Sequence, residues 1–229
     1  MGAVIDLLGH YGGFWVAGAA TTLVLSAASF PLSIGLGLII AFASTSQDGF
    51  KALLARFYIG LFRGLPEILV IFAAYYGLNI LVRNVAGWTG IPIPAVPPLA
   101  AVVIALVLQF ASYSAVVFRD WLATLPRGLI EAGMAIGMSD QKVRARILIP
   151  LTLRQATPAL GNLFLLMLKV SALASLVGVV ELSRATTIIS GSTQEPLMAF
   201  TVAAGLYLVI SAISGVVQTR IEKLIARSH

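Results

Sequence analysis

Five times along its 229 residues the chain enters a stretch of about 20 or more mostly apolar residues, long enough to cross a bilayer as a helix. These runs fall at residues 14–43, 53–82, 98–118, 156–180 and 197–218. The second is interrupted by Arg63-Gly64-Leu65-Pro66-Glu67, and the fourth carries Lys169 inside it. Only 10% of the residues are charged and 59% are hydrophobic, whereas charged residues make up about a quarter of a soluble domain. The expectation is an all-α, multi-pass integral membrane protein with no room for a separate soluble catalytic domain. A single transmembrane domain covers 14–219, with short tails at 1–13 and 220–229. Residues 1–13 contain no Lys or Arg and no apolar signal core, and Asp6 stands where a myristoylation signal wants Ser or Thr.

The placement of bases sets the expected orientation. With the N-terminus outside, the inner segments hold Lys51, Arg56, Arg119, Arg127, Lys142, Arg144, Arg146, Arg154, Arg220, Lys223 and Arg227. The outer segments hold only Arg83 and Arg184. These bases flank apolar spans rather than forming a patch on a soluble fold, which argues against nucleic acid as a partner. The membrane itself is the expected environment. Five spans do not pair into the inverted repeat common in secondary carriers.

Chemistry is missing where an enzyme would need it. There is no Gly-x-x-x-x-Gly-Lys-Ser/Thr phosphate loop. Cysteine is absent, and His10 and His229 are both terminal, so neither a metal centre nor a Ser–His–acid set is expected.

The polar interlude at 119–155 holds six of the fifteen Lys and Arg residues. Pro126 suits the first turn of a helix running over about 127–136, and Gly137 suits a left-handed stop. Ser139 is a natural N-cap for a second short helix, favoured by Asp140, with Pro150 disturbing continuation beyond it. On composition alone, two amphipathic helices resting on anionic lipid explain the segment as well as a docking site does.

Within that loop, Glu131-Ala132-Gly133, then Gly137, then Ile147-Leu148-Ile149-Pro150 resembles the EAA signature of ABC importer permeases. The fixed spacings agree, with Gly133 in place of an Ala and Ile149 in place of a Leu. Arg63-Gly64-Leu65-Pro66-Glu67, Tyr75-Tyr76-Gly77-Leu78, Tyr113-Ser114 and Leu168-Lys169 look like the polar amino acid permeases. Ser192-Thr193-Gln194-Glu195-Pro196 is most similar to the histidine and opine branch, in its Q-type subunit. The resemblance implies a type I permease in the cell inner membrane, importing a polar or basic amino acid or an opine. It implies a related second permease as a heterodimer partner, two ATP-binding subunits and a periplasmic solute-binding protein. ATP and Mg would sit on the ATPase, with no cofactor on this chain. Glu131, Ala132, Gly133, Gly137, Ile147 and Pro150 would couple to that ATPase, the small residues allowing close approach. A self-contained secondary amino acid carrier or exporter is the alternative.

Polar groups inside the spans are the candidates for a substrate path, because each costs about 2.5–3.5 kcal/mol at mid-helix unless it faces the bundle or a wet cavity. Arg63 and Glu67 are four apart and would share a helix face, either as a self-neutralising pair or as contacts to solute. Lys169 would pair with Glu67 or a partner chain, or meet a solute carboxylate, with Ser171 nearby. Gln109, Ser112 and Tyr113 form one stripe, suited to interhelical hydrogen bonds or to lining a path. Ser26, Ser29 and Ser33 with Pro31 read as packing and a kink.

Overall fold

In the computed structural model, residues 2–46 and 48–227 are described, apart from the side chains of residues 2–6, Arg127 and residues 226–227. His229, one of the two histidines set aside above as metal ligands, lies outside the described residues. The regular elements among the described residues are all helices: α1 (Gly2–Ser44), α2 (Gly49–Gly64), α3 (Glu67–Thr89), α4 (Pro98–Thr124), α5 (Arg127–Ala135), α6 (Asp140–Val143), α7 (Ile149–Val170), α8 (Leu182–Thr193) and α9 (Pro196–Arg227). A π-helical turn (Arg144–Leu148) joins α6 to α7, and a 3₁₀ stretch (Ser171–Val177) follows α7. Five stretches are long and apolar enough to cross a membrane: Leu7–Ser44, Glu67–Thr89, Pro98–Thr124, Asp140–Val177 and Pro196–Ile225.

The axis of the bundle is the pair α1 and α4, running in the same direction. Gly37 lies against Ala111 to Ala115, and Ala41 shares a cluster with Phe118 one turn further on. Small residues make this approach possible. A Cβ at Gly37 would fall 2.6 Å from Ser114 Cβ and 2.9 Å from the Ala111 carbonyl oxygen. Between apolar spans surrounded by lipid there is little hydrophobic drive, so close backbone packing of small side chains supplies the attraction. Ser26, Ser29 and Ser33 are buried on α1, which continues through Pro31. Ser26 and Ser33 return their hydroxyls to the Thr22 and Phe30 carbonyls.

Several boundaries differ from the sequence expectation. The second apolar run is two helices, α2 and α3, broken at Leu65 and Pro66, both extended. The fourth span begins 16 residues before the expected start at 156, because the chain does not stop at Pro150. The π-helical turn ends with the Ile149 N–H bonded to the Arg144 carbonyl, immediately before Pro150. That wider turn takes up the site where a proline ring would press on the preceding turn, and Pro150 then occupies the first turn of α7. What reads as a second loop helix is therefore the root of the fourth span.

Gly37→Leu should destabilise the folded protein by about 1–3 kcal/mol through overpacking. Gly35→Ala, which meets open space, should be near neutral. Thermal unfolding followed by fluorescence-detected gel filtration in mild detergent checks the contrast.

Candidate functional site

The break between α2 and α3 collects polar groups deep in the bundle. The Phe62 carbonyl would bond the N–H four residues on, but that residue is Pro66, which has none. Gln109 of α4 replaces it, donating from Nε2 to Phe62 O at 2.6 Å and reaching Leu65 O at 3.5 Å and Tyr113 Oη at 3.3 Å. Tyr113 in turn donates to Glu67 Oε1 at 2.9 Å. Glu67 is the first residue of α3, where a carboxylate meets the positive end of the helix. Tyr58 of α2 donates to the Leu108 carbonyl at 2.7 Å and fixes α2 on the other side of the break.

The sequence candidates separate in this geometry. Gln109 and Ser112 are buried, and both bond to backbone, Ser112 Oγ to the Gln109 carbonyl. Tyr113 and Glu67 are half-buried and Arg63 is exposed, so these three border open space. Arg63 closes α2 while Glu67 opens α3, so the two do not share a helix face. The chain bends away between them, and no ion pair joins them among the described residues. Lys169 is exposed at the end of α7 and likewise makes no ion pair there; Ser171 is buried and bonds the Leu168 carbonyl.

A second assembly lies at the far end of α4 from its N-terminus, the end where α1 also finishes. Here α5 ends in a Schellman turn: Met138 N–H bonds Gly133 O at 3.0 Å and Gly137 N–H bonds Met134 O at 2.9 Å. Gly137 has φ +83°, a conformation that disfavours any side chain. Ser139 takes the N-cap position without a side-chain bond, and Asp140 pairs with Arg144 at 3.1 Å. Glu131, Ala132 and Gly137 are exposed. Gly133 instead faces inward, where a Cβ would meet Val143 at 2.9 Å and Ile147 at 3.3 Å. Its small size therefore lets α5 close on α6 and the π-helical turn, rather than opening a surface for another chain. Pro150 is exposed at the start of α7. At the same end of the bundle, Asp48 caps α2 through the Phe50 and Lys51 N–H groups and pairs with Lys51 at 3.1 Å. Those contacts, led by the Lys51 side chain, hold its carboxyl below the usual range.

Sequence reasoning passed over Glu181. It lies between the fourth and fifth spans, fully buried, and its carboxylate accepts from Ser183 N and Arg184 N at 2.8 Å each. Tyr207 Oη of α9 donates to it at 3.1 Å and Thr22 Oγ1 of α1 at 3.5 Å. Burial pushes this carboxyl above its ordinary range, against the opposing pull of those N–H donors. Gly18 admits the close approach, and Trp15 Nε1 donates to Thr186 at 3.0 Å alongside. One side chain thus joins α1, α8 and α9. The available signal was a lone acid after an apolar run and just before a helix start.

The chain as a whole is similar to known transport proteins. A family described as binding-protein-dependent transport system inner membrane component matches residues 33–227. The histidine/lysine/arginine/ornithine transport system permease protein HisQ of Salmonella typhimurium is 32% identical, over 95% of each chain. The octopine transport system permease protein OccQ of Rhizobium meliloti is 38% identical, over 86% of this chain and 84% of its own. Among solved structures, a chain from an amino acid ABC transporter crystallised with histidines superposes with a TM-score of 0.77. It is 26% identical, covering 94% of this chain and 96% of that one.

Glu181→Ala should cost at least about 2 kcal/mol, since it strands two backbone N–H groups and the Tyr207 hydroxyl in the interior. Glu181→Gln, which keeps the acceptor oxygen, should cost less. Denaturation midpoints in detergent micelles order the two variants, and equal midpoints would argue against the staple.

Proposed function

The chain belongs to the family of binding-protein-dependent transport system inner membrane components, and from that premise we propose how its two polar assemblies divide the work of import. It is the permease subunit of an ABC importer of the amino acid and opine class. The self-contained carrier reading has no support among these relatives.

The exposed hairpin of α5 and α6 is the surface through which partner ATPase subunits act. The observation that carries this is the pairing of a rigid, Schellman-capped α5 with a helix root that runs without interruption from Asp140 into the fourth span. A push on Glu131, Ala132 or Gly137 reaches α7 through Val143 and Ile147, which Gly133 touches directly. This chain contributes no ATPase chemistry of its own; ATP and Mg are held by two partner subunits. A related second permease completes the path, a solute-binding protein delivers from the α8 end, and the hairpin end lies in the cytoplasm of an inner membrane, a reading the excess of bases there supports.

The transported class follows from the break between α2 and α3. The C-terminal end of α2 and the N-terminal end of α3 both point at it, with partial charges of opposite sign. Arg63 and Glu67 add a full charge of each sign beside Tyr113. A zwitterionic solute with an extra polar or cationic group complements that arrangement, and both HisQ and OccQ carry names of such solutes. Ser171 opens the 3₁₀ stretch packed on α3 and α4, and the exposed Lys169, two residues before it, would serve the same path.

Two measurements test this reading on the transporter purified with its partners in lipid nanodiscs. Glu131→Lys and Gly137→Val should leave the protein in the membrane but lower substrate-stimulated ATP hydrolysis by tenfold or more (about 1.4 kcal/mol of lost coupling). Normal stimulated hydrolysis would remove the hairpin from the mechanism. Glu67→Gln should weaken uptake of cationic amino acids by about tenfold while sparing neutral ones. Equal losses for both classes would show that Glu67 supports the fold instead.

A further inference from the structure

Helix α2 has three distinct sides. Ala52, Ala55 and Ile59 are buried, and the last two pack with Ile40 of α1 and Ala111 and Ala115 of α4. Phe50, Leu53, Leu54, Phe57 and Leu61 are exposed and form a broad apolar side. Between these two sides runs a narrow edge of Arg56, Gly60 and Arg63, at i, i+4 and i+7, all exposed. The rotation of α2 is fixed from the opposite edge, where Tyr58 bonds the Leu108 carbonyl of α4.

The two arginines are spaced two turns apart, about 10 Å along the helix. Arg63 stands at the level of the polar break, next to Phe62, whose carbonyl takes the Gln109 amide. Arg56 lies nearer the Asp48 cap, on the way from the break to the hairpin end. Lys51, nearer still, is paired with Asp48, whereas neither Arg56 nor Arg63 enters an ion pair among the described residues. A cation inside a span costs about 2.5–3.5 kcal/mol at mid-helix unless it meets water, a partner or a cavity. An arginine close to a helix end escapes that cost by laying its stem towards the interface. Arg63 is about 21 Å up α2 from Gly49 at 1.5 Å per residue, too far for its stem to span. Gly60, between the two arginines, faces open space, with nothing within 4 Å of where a Cβ would stand. Two cations on one edge, with room between them, describe a wet strip and not a lipid-facing one.

We propose that the Arg56–Gly60–Arg63 edge lines the inner half of the solute path and carries the solute carboxylate from the break to the hairpin side. Arg63 receives the carboxylate at the break, and Arg56 takes it two turns further on. Guanidinium and carboxylate form charge-assisted hydrogen bonds, yet on an exposed edge each pair is worth little, so the solute is guided without being trapped. The absence of a side chain at Gly60 leaves the passage between the two stations open. The inference rests on the import of an amino acid proposed above and assigns its inward half.

The chain has no cysteine, so single introduced thiols report on each side of α2 in the complete transporter in nanodiscs. Gly60→Cys should react with both an anionic reagent, sulfonatoethyl methanethiosulfonate, and a cationic one, trimethylammonioethyl methanethiosulfonate. Phe57→Cys, on the apolar side, should react with neither. Relative to the rates with a small free thiol, the anionic reagent should be favoured about tenfold at position 60. Adding Arg56→Gln should remove most of that preference. In proteoliposomes with the binding protein, Arg56→Cys should lower amino acid uptake about tenfold. The cationic reagent, which restores the charge, should return most of it, and the anionic reagent none; this arm decides if Gly60→Cys fails to assemble. An unreactive Gly60→Cys, equal relative rates for the two reagents, or a preference that survives Arg56→Gln would overturn the proposal. So would an Arg56→Cys uptake defect that disappears in liposomes without anionic phospholipid, because a lipid phosphate would then be the partner of Arg56. A wild type that imports no amino acid would count against the transport reading alone, and the labelling contrast at position 60 would still be decided by its own rates.

Discussion

Pro66 has no N–H, so the Phe62 carbonyl one turn earlier loses its helical donor inside the bundle. A backbone carbonyl left without a donor in the low-dielectric part of a bundle costs several kcal/mol. The answer comes from the Gln109 amide at 2.6 Å. A break in the second span therefore requires a buried amide on α4, at the level where the break occurs. That amide in turn sits beside Tyr113, which holds the first residue of α3. The polar centre of the molecule is the repair of a broken helix, and the charges that border it are there because the helix ends.

A break of this kind needs rigid surroundings, or the freed strand would slide until its groups found other partners. Two devices supply that rigidity. Along the α1–α4 seam, Gly37, Ala41, Ala111, Ser114 and Ala115 bring backbones together without side chains that could repack. At the other end, Glu181 ties α1, α8 and α9 through one carboxylate. The first device works by shape and the second by charge-assisted hydrogen bonds, so they fail to different insults. Between them α4 is left as the most enclosed span, with Gln109 held in register beside Phe62 and Leu65.

What could be read from the sequence was whatever leaves a local mark. Five apolar runs, the interruption at residues 63–67 and the left-handed Gly137 all appear as composition, proline or glycine; the structure has five such helices, the break and the turn, with the second and fourth spans displaced to Glu67–Thr89 and Asp140–Val177. What could not be read depends on partners distant in the chain. Glu181 acquires its role from Thr22 and Tyr207, 159 and 26 residues away. Gly133 reads as a small residue for an outside surface until Val143 is seen against it. Arg63 and Glu67 satisfy the spacing of a shared helix face, and only the extended Leu65 and Pro66 between them remove it. Pro150 signals a stop by itself, yet a π-helical turn placed just before it keeps the helix going.

That last exception bears on how force could cross the molecule. A loop that ended at Pro150 would leave the hairpin hinged to the span, free to move without moving it. The observed root is helical from Asp140 through Val170, with the π-helical turn inside it. A single widened turn is compliant in rotation but still transmits displacement along the axis, because the carbonyl-to-amide bonds persist, as Ile149 to Arg144 shows. Gly133 pressed against Val143 and Ile147 then couples α5 to the side of that root. On the proposed coupling, a displacement of α5 would enter the fourth span at its base and pass up α7 to the 3₁₀ stretch, where Ala174 and Val177 pack with Val70 and Ile71 of α3. The hairpin and the polar break, at different depths of the molecule, are joined by packed helix the whole way.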